Sequence, residues 1–465
     1  MNSKQYEILA LTLRYWFVFL LAYVFIQATY RTLRGVMSGK LDRRSTGNIP
    51  FILALLSLSA FGLLAFRDPS GFDKDTALLG VLVSAVILFQ FYFLYYVFRG
   101  MDEILLLMVD TLAILGFVIL QRLTPTLALR QVEWFAAGNV VLFLAMIVIP
   151  RINKPGRLLA ALMVLGPAIL FLVAFFGEKS GGATSKLPIG DFSIQPSEFA
   201  KVIFIVVLAY SLEETQTFRQ RIPVLLFAMF SILGVALQKD LGGALHYFLV
   251  FLFMYYIATS DWMLTATAAG AGIVASVIGY RLFSHVQVRV EAWKNPWADV
   301  GGKGYQVAQS LMAMGSGGWF GMGLNLGEPY AIPASRTDFI FAAICEEFGI
   351  LVGGIVIGLY ILILIRSMQK ALRAYRASDM LLASGASISL AIQAFIIIGG
   401  VIKMIPLTGI TLPFVSYGGS SMIVSLSMVG IVEGVSVRNY RTARDQEEEQ
   451  MDGTDEEKSD GDEDT

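Results

Sequence analysis

The sequence predicts an all-α protein that crosses a membrane many times, and composition and block length carry that prediction. Of 465 residues, 56% are apolar, against about 45–50% in soluble domains even when glycine is counted. Mean hydropathy is +0.67. The excess gathers in blocks of roughly 17–25 residues, the helix length that spans about 30 Å of hydrocarbon. A barrel strand would need only about ten residues, so the blocks read as helices.

Thirteen spans follow, at 8–28, 50–66, 77–98, 103–121, 133–150, 157–176, 199–213, 222–237, 242–258, 262–283, 338–365, 383–402 and 420–437. The first is not read as a signal peptide. Arg14 interrupts it, no small-x-small cleavage site follows, and a basic loop comes next. Cytoplasmic loops collect Lys and Arg. Here the basic loops are Arg31 to Arg44, Arg151 to Arg157, Arg366 to Arg376 and Arg438 to Arg444. Thirteen crossings put all four on one side. The expected topology is therefore a multi-pass cell-membrane protein with its N-terminus extracellular and its C-terminus cytoplasmic.

The loops on the other side are Gly177–Glu198, Gln238–Gly242, Ser284–Thr337 and Lys403–Gly419, and they hold most of the Gly, Pro and polar clusters. Function is expected there. The large loop between spans ten and eleven carries Trp293, Trp297, Tyr305 and Trp319, which suit a segment lying in the membrane interface. Net charge is −1, but the acidic stretch 445–465 offsets a basic remainder. Residues 441–465 read as a disordered tail, either simply solvated or a docking site for a basic partner. The single cysteine, Cys345, excludes an intrachain disulfide. Two histidines, His246 and His285, are too few for a histidine-based metal site. The Gly-rich run Gly315–Gly323 lacks the phosphate-loop pattern and reads as tight turns; no nucleic-acid partner is expected.

Several carboxylates need weighing. Asp338 opens the eleventh span, either as a charge favoured by the helix dipole or as a functional acid. Glu198 and Lys201 read as an (i, i+3) ion pair at a helix start. Asp240 is either a cap or a cavity-lining acid. Glu346 and Glu347 lie inside a span, where two adjacent carboxylates cannot both face lipid. Ser416 and Tyr417 sit in a bent loop at a helix start and are candidates to line a cavity.

In chain order the extracellular segments read Ile194-Gln-Pro-Ser-Glu-Phe-Ala-Lys201, Gln238-Lys-Asp-Leu-Gly242, and Arg289 with Trp293-Lys-Asn-Pro-Trp297 and Gly304-Tyr-Gln306. Then come Gly315–Gly323, Thr337-Asp-Phe-Ile-Phe341 with Glu346-Glu-Phe-Gly349, Pro406-Leu-Thr-Gly409 and Leu412–Ser421. In this order and spacing the set resembles the SEDS family of FtsW/RodA/SpoVE-type peptidoglycan polymerases. The resemblance covers about 102–440. It departs from the usual family pattern at Lys186, Lys239 and Ile332–Arg336.

The resemblance implies a ten-helix core over 101–440, preceded by three extra helices in 1–100. It implies glycan polymerisation from lipid II, for division, elongation or sporulation, with undecaprenyl-linked glycan as product. Asp338 aligns with the catalytic aspartate, as base or as ligand of a divalent cation (Mg or Mn). Arg336, Lys239, Lys303 and Arg289 are candidates to face the pyrophosphate; the plain alternative is a solvated cation. A class B penicillin-binding transpeptidase and other division or elongation proteins are the expected partners. Lipid II transport, for which Glu346 and Glu347 are the best feature, and a non-catalytic scaffold are the alternatives.

Overall fold

The computed structural model describes residues 3–38, 47–66, 71–152, 156–180, 183–189, 192–213 and 217–461. The chain runs through α1 (Ser3–Ser38), α2 (Ile49–Ala65), α3 (Lys74–Val97), α4 (Glu103–Leu123), α5 (Pro125–Val148) and α6 (Gly156–Phe176). After a small sheet come α7 (Pro196–Glu213), α8 (Phe218–Leu237), α9 (Leu241–Thr259), α10 (Trp262–Leu282), α11 (Ser284–Lys294) and α12 (Tyr305–Gly317). The last four are α13 (Ile340–Phe348), α14 (Ile350–Ala371), α15 (Ala377–Val401) and α16 (Gly419–Gly461).

Among the described residues, eleven helices are long and apolar enough to cross a membrane. The other two spans read from the sequence fall on the 17-residue α2 and on α7, which carries Glu198, Lys201 and Glu213. α4 is buried along nearly its whole length, and α15 and α16 are almost as enclosed. Apolar residues all round α4 mark it as the centre of the bundle. α10 is the opposite case, its Ile273, Val274 and Leu282 all exposed. In a membrane such a surface faces lipid.

The N-terminal helices pack on this core. Phe17 of α1 meets Phe348 edge-on at 5.8 Å. Gly358 of α14 leaves room for the Phe25 ring, which would crowd any Cβ there. Gln369 Nε2 donates to the Thr32 carbonyl at 3.2 Å.

Three expectations need correction. Asp338 does not begin a long helix: it lies in a turn, α13 starts at Ile340, and α13 ends at Phe348. Gly349, at φ 88° and ψ 168°, breaks the apolar run before α14. The Gly-rich segment docks its backbone in that break: Ile350 N donates to Gly318 O at 2.9 Å, and Met322 N to Glu346 O at 2.8 Å. Second, the segment after α6, read from the sequence simply as an extracellular loop, carries regular structure. It forms an antiparallel sheet in the order β1 (Glu178–Ser180), β2 (Ala183–Ile189), β3 (Phe192–Ile194), with Glu178 opposite Lys186 and Leu187 opposite Ile194. Third, the acidic tail expected to be disordered continues α16 as helix through Gly461. Straight-chain Glu, Gln, Lys and Arg are good helix formers, and Arg444 pairs with Glu448 at 2.6 Å one turn on. Residues 462–465 lie outside the described residues.

Candidate active site

The turn after Ala334 and the loop between α15 and α16 meet at one end of the bundle. Ser416 is buried and its hydroxyl joins them: Oγ donates to Thr337 O at 2.6 Å and accepts from Leu412 N at 2.9 Å. Tyr417 N donates to Arg336 O at 2.9 Å. Gln131 of α5 clasps the same loop from below, Nε2 to Ser416 O at 3.0 Å and Oε1 from Gly418 N at 3.1 Å. Ser416 is thus a backbone fastener for the turn that carries Asp338.

Arg289 of α11 reaches into the same place. Its Nη1 donates to Thr408 O at 2.6 Å. Gly409, at φ +79°, lies between the two charges: a methyl there would stand 3.1 Å from Arg289 Nη2 and 3.6 Å from Asp338 Oδ2. The left-handed backbone favours glycine at this residue, and a methyl would press on the Arg289 guanidinium. Trp293 Nε1 donates to Lys403 O at 3.1 Å, so α11 is tied to the loop at two points.

Burial raises the Asp338 pKa above its ordinary value. Thr337, Arg289 and Lys186 pull it back down. Asp240 caps α9, accepting from Gly243 N at 2.8 Å, and is likewise raised by burial, against that hydrogen bond and the nearby Lys201 and Arg289 charges. The two carboxylates share the field of one guanidinium. Lys239, at φ 62°, and Arg289 both hold the neighbouring His285 below its usual pKa, after desolvation. This end of the molecule thus gathers Arg289, Lys186 and Lys239 around Asp338 and Asp240.

Glu198 and Lys201 are buried and bonded at 2.7 Å. Lys201 also donates to Gln393 Oε1 at 3.1 Å, and Gln393 Nε2 reaches Thr411 O at 2.9 Å. The pair therefore anchors the loop to α7 and α15 beneath the acids. Lys303 is elsewhere: it is exposed and pairs with Glu291 at 2.8 Å. Arg336 is exposed and, with Leu123 and Tyr330, lines a small cavity of 280 Å³ two residues before Asp338. Tyr417 is half-buried against the core. Lys186 was noted in the sequence only as a departure from a pattern. A basic residue in a loop on the charge-poor side was the available signal.

Among the described residues no group of three or more His, Cys, Asp or Glu forms a metal cage. Mg²⁺ commonly binds through one or two carboxylates plus substrate phosphates. The oxygen donors Asp338 and Asp240 fit that mode.

A family profile described as cell cycle protein, FtsW/RodA/SpoVE, matches residues 82–441. The chain belongs to this family. The peptidoglycan glycosyltransferase RodA of Mycobacterium tuberculosis is 33% identical over 372 residues, covering 72% of this chain and 78% of that protein. Stage V sporulation protein E of Bacillus subtilis is 35% identical over 321 residues, covering 66% and 86%. A chain of a peptidoglycan synthase complex, solved for the coordination of polymerization and crosslinking, superposes with TM-score 0.62 at 29% identity, covering 73% of this chain and 98% of that one. Thermus thermophilus RodA gives TM-score 0.53 at 27% identity over 72% and 96%.

Glu346 and Glu347 stand apart from the Asp338 turn. Both are buried. Glu347 pairs with Arg122 at 3.3 Å and accepts from Asn325 N; Glu346 Oε1 accepts from Glu328 N at 2.8 Å. Arg122 Nη2 caps Gly327 O at 3.0 Å. The acid pair pins the 321–328 loop rather than lining a transport path. Arg122→Leu should cost about 3–5 kcal/mol, because it strands a buried carboxylate. Adding Glu347→Leu should recover much of that loss. Thermal unfolding of the two variants checks this; equal instability of both would refute it.

Proposed function

We propose that this chain polymerises lipid II at the outer face of the cytoplasmic membrane, with the Asp338 carboxylate as the general base. The observation that carries the reading is the convergence of Asp338 and Arg289 on Gly409, in a family whose relatives are peptidoglycan glycosyltransferases.

A sugar hydroxyl forms a bond to the anomeric carbon of the donor while the bond from that carbon to the pyrophosphate oxygen breaks. The leaving group takes the electron pair, and the hydroxyl proton goes to Asp338. α-linked donor and β-linked product make this an inversion with one base. Pyrophosphate is stable as an anion, so the site needs positive charge rather than a second acid. Arg289, Lys186 and Lys239 supply it. A divalent cation bound through Asp338 or Asp240 would neutralise the pyrophosphate further. Burial raises Asp338 toward the range of an effective base. The orientation rests on the opposite end, where Arg366, Arg373 and Arg438 collect. The expected partner is a class B penicillin-binding transpeptidase.

The test uses purified protein, lipid II and Mg²⁺ or Mn²⁺, with products read on a gel. Wild type should make glycan polymer, Asp338→Ala none, and EDTA should abolish the product. No polymer from wild type, even with its transpeptidase present, overturns the reading.

A further inference from the structure

A large cavity lies at the opposite end of the bundle from Asp338. It measures about 1370 Å³ and opens between the N-terminal helices and the core. Five cations line it: Arg31 from α1, Arg99 from the α3–α4 connection, Arg366 and Lys370 from α14, and Arg373 just beyond. The acids facing it are Asp102, Glu103 and Glu447, with Glu433 behind.

Asp102 is fully engaged. It accepts from Arg366 Nε at 2.7 and 2.8 Å and pairs with Lys370 Nζ at 3.1 Å. Its backbone N–H donates to Glu433 Oε2 at 2.7 Å. That leaves Arg366 Nη1 buried with no hydrogen-bond partner, on a side chain 4% exposed that lines the cavity. A buried guanidinium N–H without an acceptor is costly and calls for one. The rim is apolar and aromatic: Tyr96 is 76% exposed, Leu372 74% and Tyr375 53%. Aromatic rings of this kind favour the level of lipid headgroups, which suits a mouth reached by a lipid.

We propose that this cavity binds the phosphate of an anionic phospholipid, clamping the N-terminal helices to the core. Arginine matches phosphate through paired N–H donors, and basic pockets between transmembrane helices suit acidic headgroups. The site is independent of the Asp338 chemistry.

The experiment is native mass spectrometry of the full chain in detergent, given equal phosphatidylglycerol and phosphatidylcholine. Wild type should retain phosphatidylglycerol at least tenfold over phosphatidylcholine. Arg99→Gln/Arg373→Gln should lose that preference while melting as wild type does in phosphatidylcholine micelles. Glu447→Gln, which removes a facing acid, should raise retention; this arm stands even if the double variant folds poorly. Millimolar inorganic phosphate should leave the lipid bound. Equal retention of the two lipids, an unchanged double variant, or displacement of the lipid by free phosphate would each overturn the proposal.

Discussion

Asp338→Asn should lower polymerisation about 10²–10⁴-fold, the usual contribution of a positioned base. The loss should fall on kcat with KM little changed, since the proton moves only in the transition state. Excess Mg²⁺ or Mn²⁺ separates the two roles: a lost metal ligand is partly rescued by added cation, and a lost base is not. The pH profile gives a second reading. Burial moves the Asp338 pKa up from 3.8, against Thr337, Arg289 and Lys186. The acid limb of the rate profile should therefore lie above the ordinary aspartate range. Stability runs the other way. A carboxyl whose folded pKa is raised favours folding when protonated, and that contribution is lost as pH rises through the folded pKa. Asp338→Asn, neutral at every pH, should therefore melt higher than wild type at neutral pH. A variant that is both inactive and less stable would mean that Asp338 holds the turn together rather than doing chemistry there.

The helical spans were legible because burial in lipid or core demands long apolar runs, and α4 and α15 satisfy that alone. The candidate site was legible as a set of loops on one face. What the sequence did not carry was which charge meets which. Lys303 and Arg289 look equivalent as loop cations, yet Lys303 spends its charge on Glu291 at the surface while Arg289 flanks Gly409 beside Asp338. Lys186 reaches the Asp338 field from a strand whose register only the folded hairpin sets. Ser416 read as a cavity residue, but its hydroxyl is consumed by two backbone groups. Such partners are fixed by tertiary approach, which hydrophobic periodicity does not encode. The break at Gly349 was hidden for a related reason. Apolar residues continue on both sides, so one glycine had to be recognised as a stop.

That glycine carries the second large effect. Gly349→Ala should destabilise the protein by roughly 2–6 kcal/mol. A non-glycine residue at φ 88° and ψ 168° costs about 1–3 kcal/mol for backbone strain alone. The added methyl would also sit 2.4 Å from both Gly321 N and Trp319 O. Those are backbone atoms with no rotamer to yield, and forced overpacking adds about 1–3 kcal/mol. The damage should spread along a defined path. Moving the 318–323 segment releases Ile350 N from Gly318 O and Gly323 N from Glu347 O. It also strips the Gly321 carbonyl that Arg14 holds at 3.2 Å from α1. The acid pair of α13 would lose its cover, and Asp338 lies just ahead of the displaced helix. Cys345, buried on α13, is the only thiol in the chain, so a thiol-reactive fluorophore reads this unfolding directly. The Gly349→Ala midpoint should fall well below wild type and polymerisation should fall with it. Gly354→Ala is the control, since a methyl there meets nothing within 4 Å and alanine suits a helix better than glycine. If both variants unfold alike, the break at Gly349 does not hold the Gly-rich loop.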